Sequence, residues 1–364
     1  MFWYFQPIYL DQLGANTMTI AGVFSAVGVA MMMAHIPAGY LSDKIGRRPV
    51  LWFAWAFGVV SAWTMALAGN LRVFIIGMVL YGLTAFVSSP LFSYVTAARG
   101  KLTSARAMTL TSAAYNLGAI IGPITGGWIG NQYGLKSIYY VVAIIFVVSL
   151  IILFFLKAQP RDNHDPSQPP IKLLKNKRFL TILALSFSSV FIMYIAQPLT
   201  PKFLEVDRGI SLSQIGLIGS VGSIGSVTMN LVLGQMSPRI GFILAQALVG
   251  LFAILLWKGN SVFWFGLGYF LLGGYRAARV LIFAQISSII KQFQMGLAYG
   301  VTETLNSFAI MLSPLLAGWL YTQNPKSVFI VAFGLVVVSI IASMIVTPRI
   351  HPDPIIEKPL EEGN

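Results

Sequence analysis

Long apolar runs alternate with short polar breaks along most of the chain. About 20 apolar residues in helix cross the hydrocarbon core of a bilayer. On that measure the pattern predicts membrane spans over Met18–Leu41, Val50–Ala68, Val73–Ala97, Met108–Ile129 and Ile138–Leu156. A second series follows at Phe179–Leu204, Ser213–Met236, Gly241–Trp257, Val262–Ile289, Gly296–Tyr321 and Val328–Val346. The runs are continuous rather than alternating apolar and polar, which excludes a transmembrane barrel. Pro90 predicts a kink in the third of these runs. The opening MFWYFQPIYLDQLG is too short to span and reads as the outer end of a helix whose first part is missing.

Between the two series lies one long polar stretch, Lys157 to Arg178, whose prolines and charges argue against a packed core. The series on either side repeat one another. PIYLD at Pro7–Asp11 aligns with PKFLE at Pro201–Glu205, and Gly14 with Gly209. Gly39, Ser42, Ile45 and Gly46 align with Gly234, Ser237, Ile240 and Gly241, and GPITGGWIGNQ at Gly122–Gln132 aligns with SPLLAGWLYTQ at Ser313–Gln323. The chain therefore reads as an internal duplication. The expected organisation is a first helix bundle over 1–156, a linker over 157–178, a second bundle over 179–347 and a disordered tail over 348–364. Seventh-span residues ahead of Pro201 have no counterpart ahead of Pro7, leaving the first copy about 16 residues short of a span of about 20.

Composition agrees with the pattern. The 364 residues are 57% hydrophobic and 10% charged, against about 25% charged in soluble domains. A net charge of +13 invites a nucleic-acid partner, but the placement of the cations argues otherwise. Most of the 24 lysines and arginines fall in loops on one side, including Lys44, Arg47, Arg48, Arg99, Lys101, Arg106 and those of the 157–178 stretch. The opposite side carries Arg72, Lys136, Lys202, Arg208, Lys258 and Lys326. That asymmetry is the positive-inside rule, placing the linker and the C-terminus in the cytoplasm and the chain in the cell membrane. The partners expected are the lipid bilayer and a small-molecule substrate, with no nucleic acid. There is no cysteine, so no disulfide or thiolate chemistry. The sequence carries no phosphate-binding loop, nucleophile elbow or metal-spaced cluster, so neither an enzyme nor a resident cofactor or metal is expected.

The stretch GYLSDKIGRRP, Gly39 to Pro49, packs Lys44, Arg47, Arg48 and Asp43 into a tight turn between two spans. It resembles the signature loop between the second and third helices of the major facilitator superfamily, roughly G-x-L-x-D-[RK]-x-G-R-[RK]. Gly39, Leu41, Asp43, Lys44, Gly46, Arg47 and Arg48 all match. The resemblance implies an all-α polytopic membrane protein of two six-helix bundles, here with a partial first helix. It implies a monomeric secondary transporter working by alternating access, with Asp43 latching the cytoplasmic side shut. The reading without that role is a topology signal alone. The span-four end expected to supply an acid for Arg47 reads SSPLFSYVTAARG and has none. GAIIGPITGG over Gly118, Gly122, Pro123, Gly126 and Gly127 resembles a pattern frequent in the drug/proton antiporters of that superfamily; close helix packing alone would also explain it. The span-four arginine of those antiporters is absent, since Met78 stands four before Gly82.

Charges inside a membrane are costly and must pair or face water. Arg276 and Arg279 fall three apart in the tenth span, so on nearly one face, and Glu303 falls in the eleventh. Either the arginines bind an anionic substrate group and Glu303 exchanges a proton, or the three form a structural ion-pair cluster. Tyr115, Asn116, Gln197 and Asn306 are candidates to line a central cavity, each with a helix–helix hydrogen bond as the plainer reading. The function expected is transport of a small organic solute, with protons as candidate coupling ion and efflux the favoured direction. The alternative is a transporter-like sensor or truncated, inactive paralogue.

Overall fold

The computed structural model describes residues 1–45, 47–87, 104–157, 175–290 and 295–346, with isolated positions between 88 and 103. The side chains of 35–45, 47, 104–109, 287 and 295–297 lie outside that description. Every element among the described residues is helical, as lipid demands of a backbone that must satisfy its own hydrogen bonds. The first series gives α1 Gln6–Gln12, α2 Thr17–Ile45, α3 Arg47–Leu67, α4 Leu71–Gly82, α5 Ser104–Tyr133 and α6 Leu135–Phe154. The second gives α7 Lys177–Ile195, α8 Leu212–Leu233, α9 Pro238–Lys258, α10 Val262–Ser287, α11 Met295–Gln323 and α12 Ser327–Val346. Nine of the helices, among the described residues, are long and apolar enough to cross a membrane. α5 is 30 residues long, but its glycines and small polar side chains hold its hydropathy down.

Local chemistry sets the helix starts. Asn70 accepts from the Val73 amide to open α4, and Asn176 from that of Phe179 to open α7. Ser211 and Gln214 form a capping box at α8. Gly14 and Gly209, aligned by the duplication, both take φ in the left-handed region, at 88° and 66°. The same turn therefore follows α1 and the end of the seventh span, with the residue type that turn favours.

Two expected spans differ from the sequence reading. The fourth stays α-helical only to Gly82 and continues as a 3₁₀ turn over Leu83–Val87; Pro90 lies outside the described residues. The Thr84 hydroxyl donates to the Tyr81 carbonyl there and competes for helical bonding. The seventh breaks after Ile195 and resumes as a short turn at Thr200–Lys202 and a π-turn at Phe203–Asp207. Pro198 and Pro201 have no amide hydrogen to continue the ladder. The Gln197 side chain takes over the Met193 carbonyl at 2.8 Å.

α2, α3, α4, α5 and α6 pack into one bundle, and α7 to α12 into another. The bundles meet along two seams, α2 against α11 and α5 against α8. The duplication relates α2 to α8 and α5 to α11, so each seam is the repeat-related counterpart of the other. Large apolar side chains on the outer helices stay exposed, among them Ile144, Val148 and Ile152 on α6 and Ile341 and Ile345 on α12. In a bilayer that belt faces lipid.

Candidate functional site

The end bearing the α2–α3 turn is called here the loop end, and the opposite one the far end. Cross-bundle hydrogen bonds run from mid-height to the far end. Ser220 donates to the Ile120 carbonyl at 2.6 Å and Ser223 to that of Ala119 at 2.7 Å, joining α8 to α5. Ser25 donates to the Met311 carbonyl at 2.7 Å, joining α2 to α11. Serines are the usual donors at such close crossings in lipid. At the far end itself Lys202, 6% exposed, donates to Asp11 at 2.5 Å and to the Thr17 hydroxyl at 3.3 Å. Beside it the Tyr321 hydroxyl donates to Asp207. Toward the loop end the α5 face opens: Leu110, Tyr115 and Leu117 are each more than half exposed. The gap between the bundles is shut at the far end and open at the other.

At the closed end of this gap is a recess with walls from both bundles. Trp3, Tyr4 and Phe24 come from the first, and Gln197, Tyr269 and Arg276 from the second. Tyr4 is set by its hydroxyl donating to the Gly219 carbonyl at 3.3 Å and by ring contact with Tyr269, centroids 6.1 Å apart. Tyr194 and Tyr275 pair at 5.9 Å.

The intramembrane charges separate into two kinds. Arg279 donates to Glu303 at 2.5 Å, across α10 and α11, with side chains 29% and 33% exposed. Arg276, one turn earlier, is exposed to the recess and has no acidic partner among the described residues. The expected cluster is therefore one ion pair and one open cation.

The other sequence candidates scatter. Gln197 lines the recess. Tyr115 lies on the open face of α5, 63% exposed. Asn116 is partly buried and contacts only Ser112 of its own helix, at 3.5 Å. Asn306 is fully buried and accepts from Ser186 at 2.8 Å, so it ties α7 to α11 inside the second bundle. Gly122, Pro123, Gly126 and Gly127 are buried at the far-end seam, where a Cβ on Gly127 would stand 2.6 Å from the Leu212 carbonyl oxygen. Gly118, in the same motif, faces open space. Arg48 stacks on Trp52 with its guanidinium 4.1 Å from the ring centroid. Gly39, Asp43, Lys44 and Arg47 stand at the end of α2 and the start of α3, but their side chains lie outside the description; Gly46 lies outside the described residues altogether.

Two bundles related by duplication, a gap shut at one end and a recess at its closed end are the architecture of a membrane carrier. The sequence model of the Major Facilitator Superfamily matches residues 1–274 and, again, 186–364. The chain belongs to the Major Facilitator Superfamily. That superfamily is one of membrane transporters, and the chain spans 66% and 51% of the lengths of two of the relatives it matches. Relatives within the superfamily include an uncharacterized MFS-type transporter of Methanocaldococcus jannaschii, 25% identical over 68% of this chain and 66% of that one. Another is the quinolone resistance protein NorA of Staphylococcus aureus, 22% identical over 93% of this chain and 90% of its own. The solved nucleoside transporter NupG superposes with a TM-score of 0.84 at 16% identity, covering 95% of both chains, and shares the fold.

The sequence reading of this superfamily member missed the far-end cluster. Asp11, Lys202, Asp207 and Tyr321 all fall near the ends of apolar runs, but nothing local pairs residues 191 apart. The one signal was the duplication itself, which sets Asp11 and Glu205 at equivalent helix ends and leaves Lys202 opposite an isoleucine, Ile8.

Proposed function

We propose that this chain is a secondary active transporter that exports a small organic solute by alternating access, the two bundles rocking about the recess. One observation carries the reading: a gap closed by two pseudo-symmetric seams at one end, open at the other, with an aromatic recess and an unpaired arginine where it closes. The positive-inside asymmetry supports a cytoplasmic loop end, linker and C-terminus in the cell membrane. Bundles over 1–156 and 179–347, acting as a monomer, complete the arrangement. Export is supported by the likeness to a relative named for quinolone resistance. The test is a solute screen in proteoliposomes of the purified chain, with and without an imposed proton gradient. Movement of no compound under either condition would reject transport.

Protons are the proposed coupling ion, with Glu303 the carrier. Protonation would release Arg279 and loosen α10 from α11, linking proton binding to bundle shape. Glu303→Gln is expected to remove the dependence of transport on the pH gradient while downhill exchange persists. Full retention of gradient-driven transport in that variant would clear Glu303. Asp43 is proposed to latch the loop end while the recess faces outward, a carboxylate against a helix N-terminus being worth about 0.3–1 kcal/mol. Asp43→Asn is expected to slow transport a few-fold with insertion unchanged; transport at the wild-type rate would reject the latch.

A further inference from the structure

We propose that the carried solute is an organic anion bearing an aromatic ring, its ring held in the recess and its anionic group on Arg276. The inference rests on the transport reading and deepens it by naming a substrate class.

The recess holds about 110 Å³. That is the scale of a single six-membered ring, since an apolar cavity of about 150 Å³ accepts benzene. Its walls include Trp3, Tyr4, Tyr194, Tyr269 and Tyr275. Rings of this kind stack edge or face on an aromatic guest. The tyrosine hydroxyls add polar contacts without adding charge.

Charge decides the sign of the guest. Arg279 is neutralised by Glu303. Among the described residues no acid lines the recess: Asp11 pairs with Lys202, Asp207 accepts from Tyr321, and Glu205 sits beside Asp11 and Lys202. Arg276 is therefore the uncompensated charge on the wall of the recess. It stands eleven residues from the loop-end terminus of α10. At 1.5 Å per residue that is about 16 Å, farther than an arginine side chain extends toward the interface. The open gap keeps the guanidinium hydrated in this state. When the loop end closes, that water is removed and an unpaired guanidinium becomes costly. A bound anion compensates it through charge-assisted hydrogen bonds, bidentate for a carboxylate or sulfonate. A neutral guest leaves the cost in place, and a cation adds repulsion. The anion thus favours the closed state, which is what a carrier requires of its substrate.

The experiment uses the purified chain and three probes that share one benzene ring and differ in charge: benzenesulfonate, benzenesulfonamide and benzylammonium. Binding is read by thermal stabilisation in detergent, and movement by counterflow in proteoliposomes. Benzenesulfonate is expected to stabilise the protein at concentrations at least about tenfold below the other two. Arg276→Gln is expected to remove that preference and Arg276→Lys to keep part of it. The melting curve of each variant without probe shows that it is folded. Benzenesulfonate binding with no counterflow supports the anion site and rejects the transport reading. Equal or tighter binding of benzylammonium, no binding of benzenesulfonate, or an anion preference that survives Arg276→Gln in a folded protein would each overturn the inference.

Discussion

Asp11→Ala is expected to unlock the far end. Removing one partner of a buried ion pair costs about 3–5 kcal/mol, because the other charge is left without water or counter-ion. Here the Asp11 side chain is 35% exposed while that of Lys202 is 8% exposed, and Thr17 still offers its hydroxyl at 3.3 Å. The expected penalty is accordingly lower, about 2–3 kcal/mol. It falls on the closed far end alone, since opening would hydrate Lys202. A shift of 2 kcal/mol changes the ratio of closed to open states about 30-fold. The native chain has no cysteine, so a single Ser213→Cys beside the Gly127 carbonyl at the α5–α8 seam reports opening cleanly. Its reaction with a membrane-impermeant maleimide from the far side should quicken by roughly that factor in the Asp11→Ala background. Lys202→Met should have a much smaller effect, because it removes the buried charge together with its need for a partner. The double variant Asp11→Ala/Lys202→Met should then label like Lys202→Met alone. If Lys202→Met instead opens the far end as much as Asp11→Ala, or if labelling does not change in either, the pair has no part in closure.

Gly216→Ala is the second large effect. A Cβ at Gly216 would stand 2.3 Å from the Pro123 carbonyl oxygen and 3.1 Å from the Gly127 Cα. Both are backbone atoms of α5, which cannot rotate aside as a side chain can. The seam must widen, and overpacking of this kind costs about 1–3 kcal/mol. The melting temperature should fall, and transport should fall further, because the widened crossing is the one that closes the far end. Gly118→Ala is the matched control. It alters the α5 motif against which Gly216 packs, but at a position where a Cβ meets nothing within 4 Å, so it should leave both quantities within the range of a neutral surface change, about 0.5 kcal/mol. Equal loss in both variants would mean that the motif acts through something other than the seam.

These contrasts mark where sequence reading stops. The Gly118–Gly127 motif was legible as a packing surface from its four-residue spacing, but the spacing did not tell Gly118 from Gly127. That distinction depends on where α8 ends up. An ion-pair cluster of Arg276, Arg279 and Glu303 was one of the two readings open, because a charge inside a span must pair or face water. Which of two arginines three residues apart took the acid was not legible, because a rotation of α10 of a few tens of degrees would exchange them. Asn306 carries a related lesson: its type and depth admit a cavity wall beside the plainer interhelical bond, and the partner that makes the bond, Ser186, lies 120 residues away. The break in the seventh span was open to reading from Pro198 and Pro201, yet the apolar run continues across it and masked the interruption.

Taken by itself, the sequence determined the helical class, the places of most spans, the duplication and the membership that the signature loop implied. It could do so because in lipid each segment must satisfy its own backbone and match its own length to the bilayer, which are local requirements. The tertiary structure alone decided that Lys202 meets Asp11, that Arg276 stays open to the recess and that the gap is shut at the far end. Those outcomes are set by the rotation and tilt of whole helices against partners more than a hundred residues away, and no local pattern encodes that geometry.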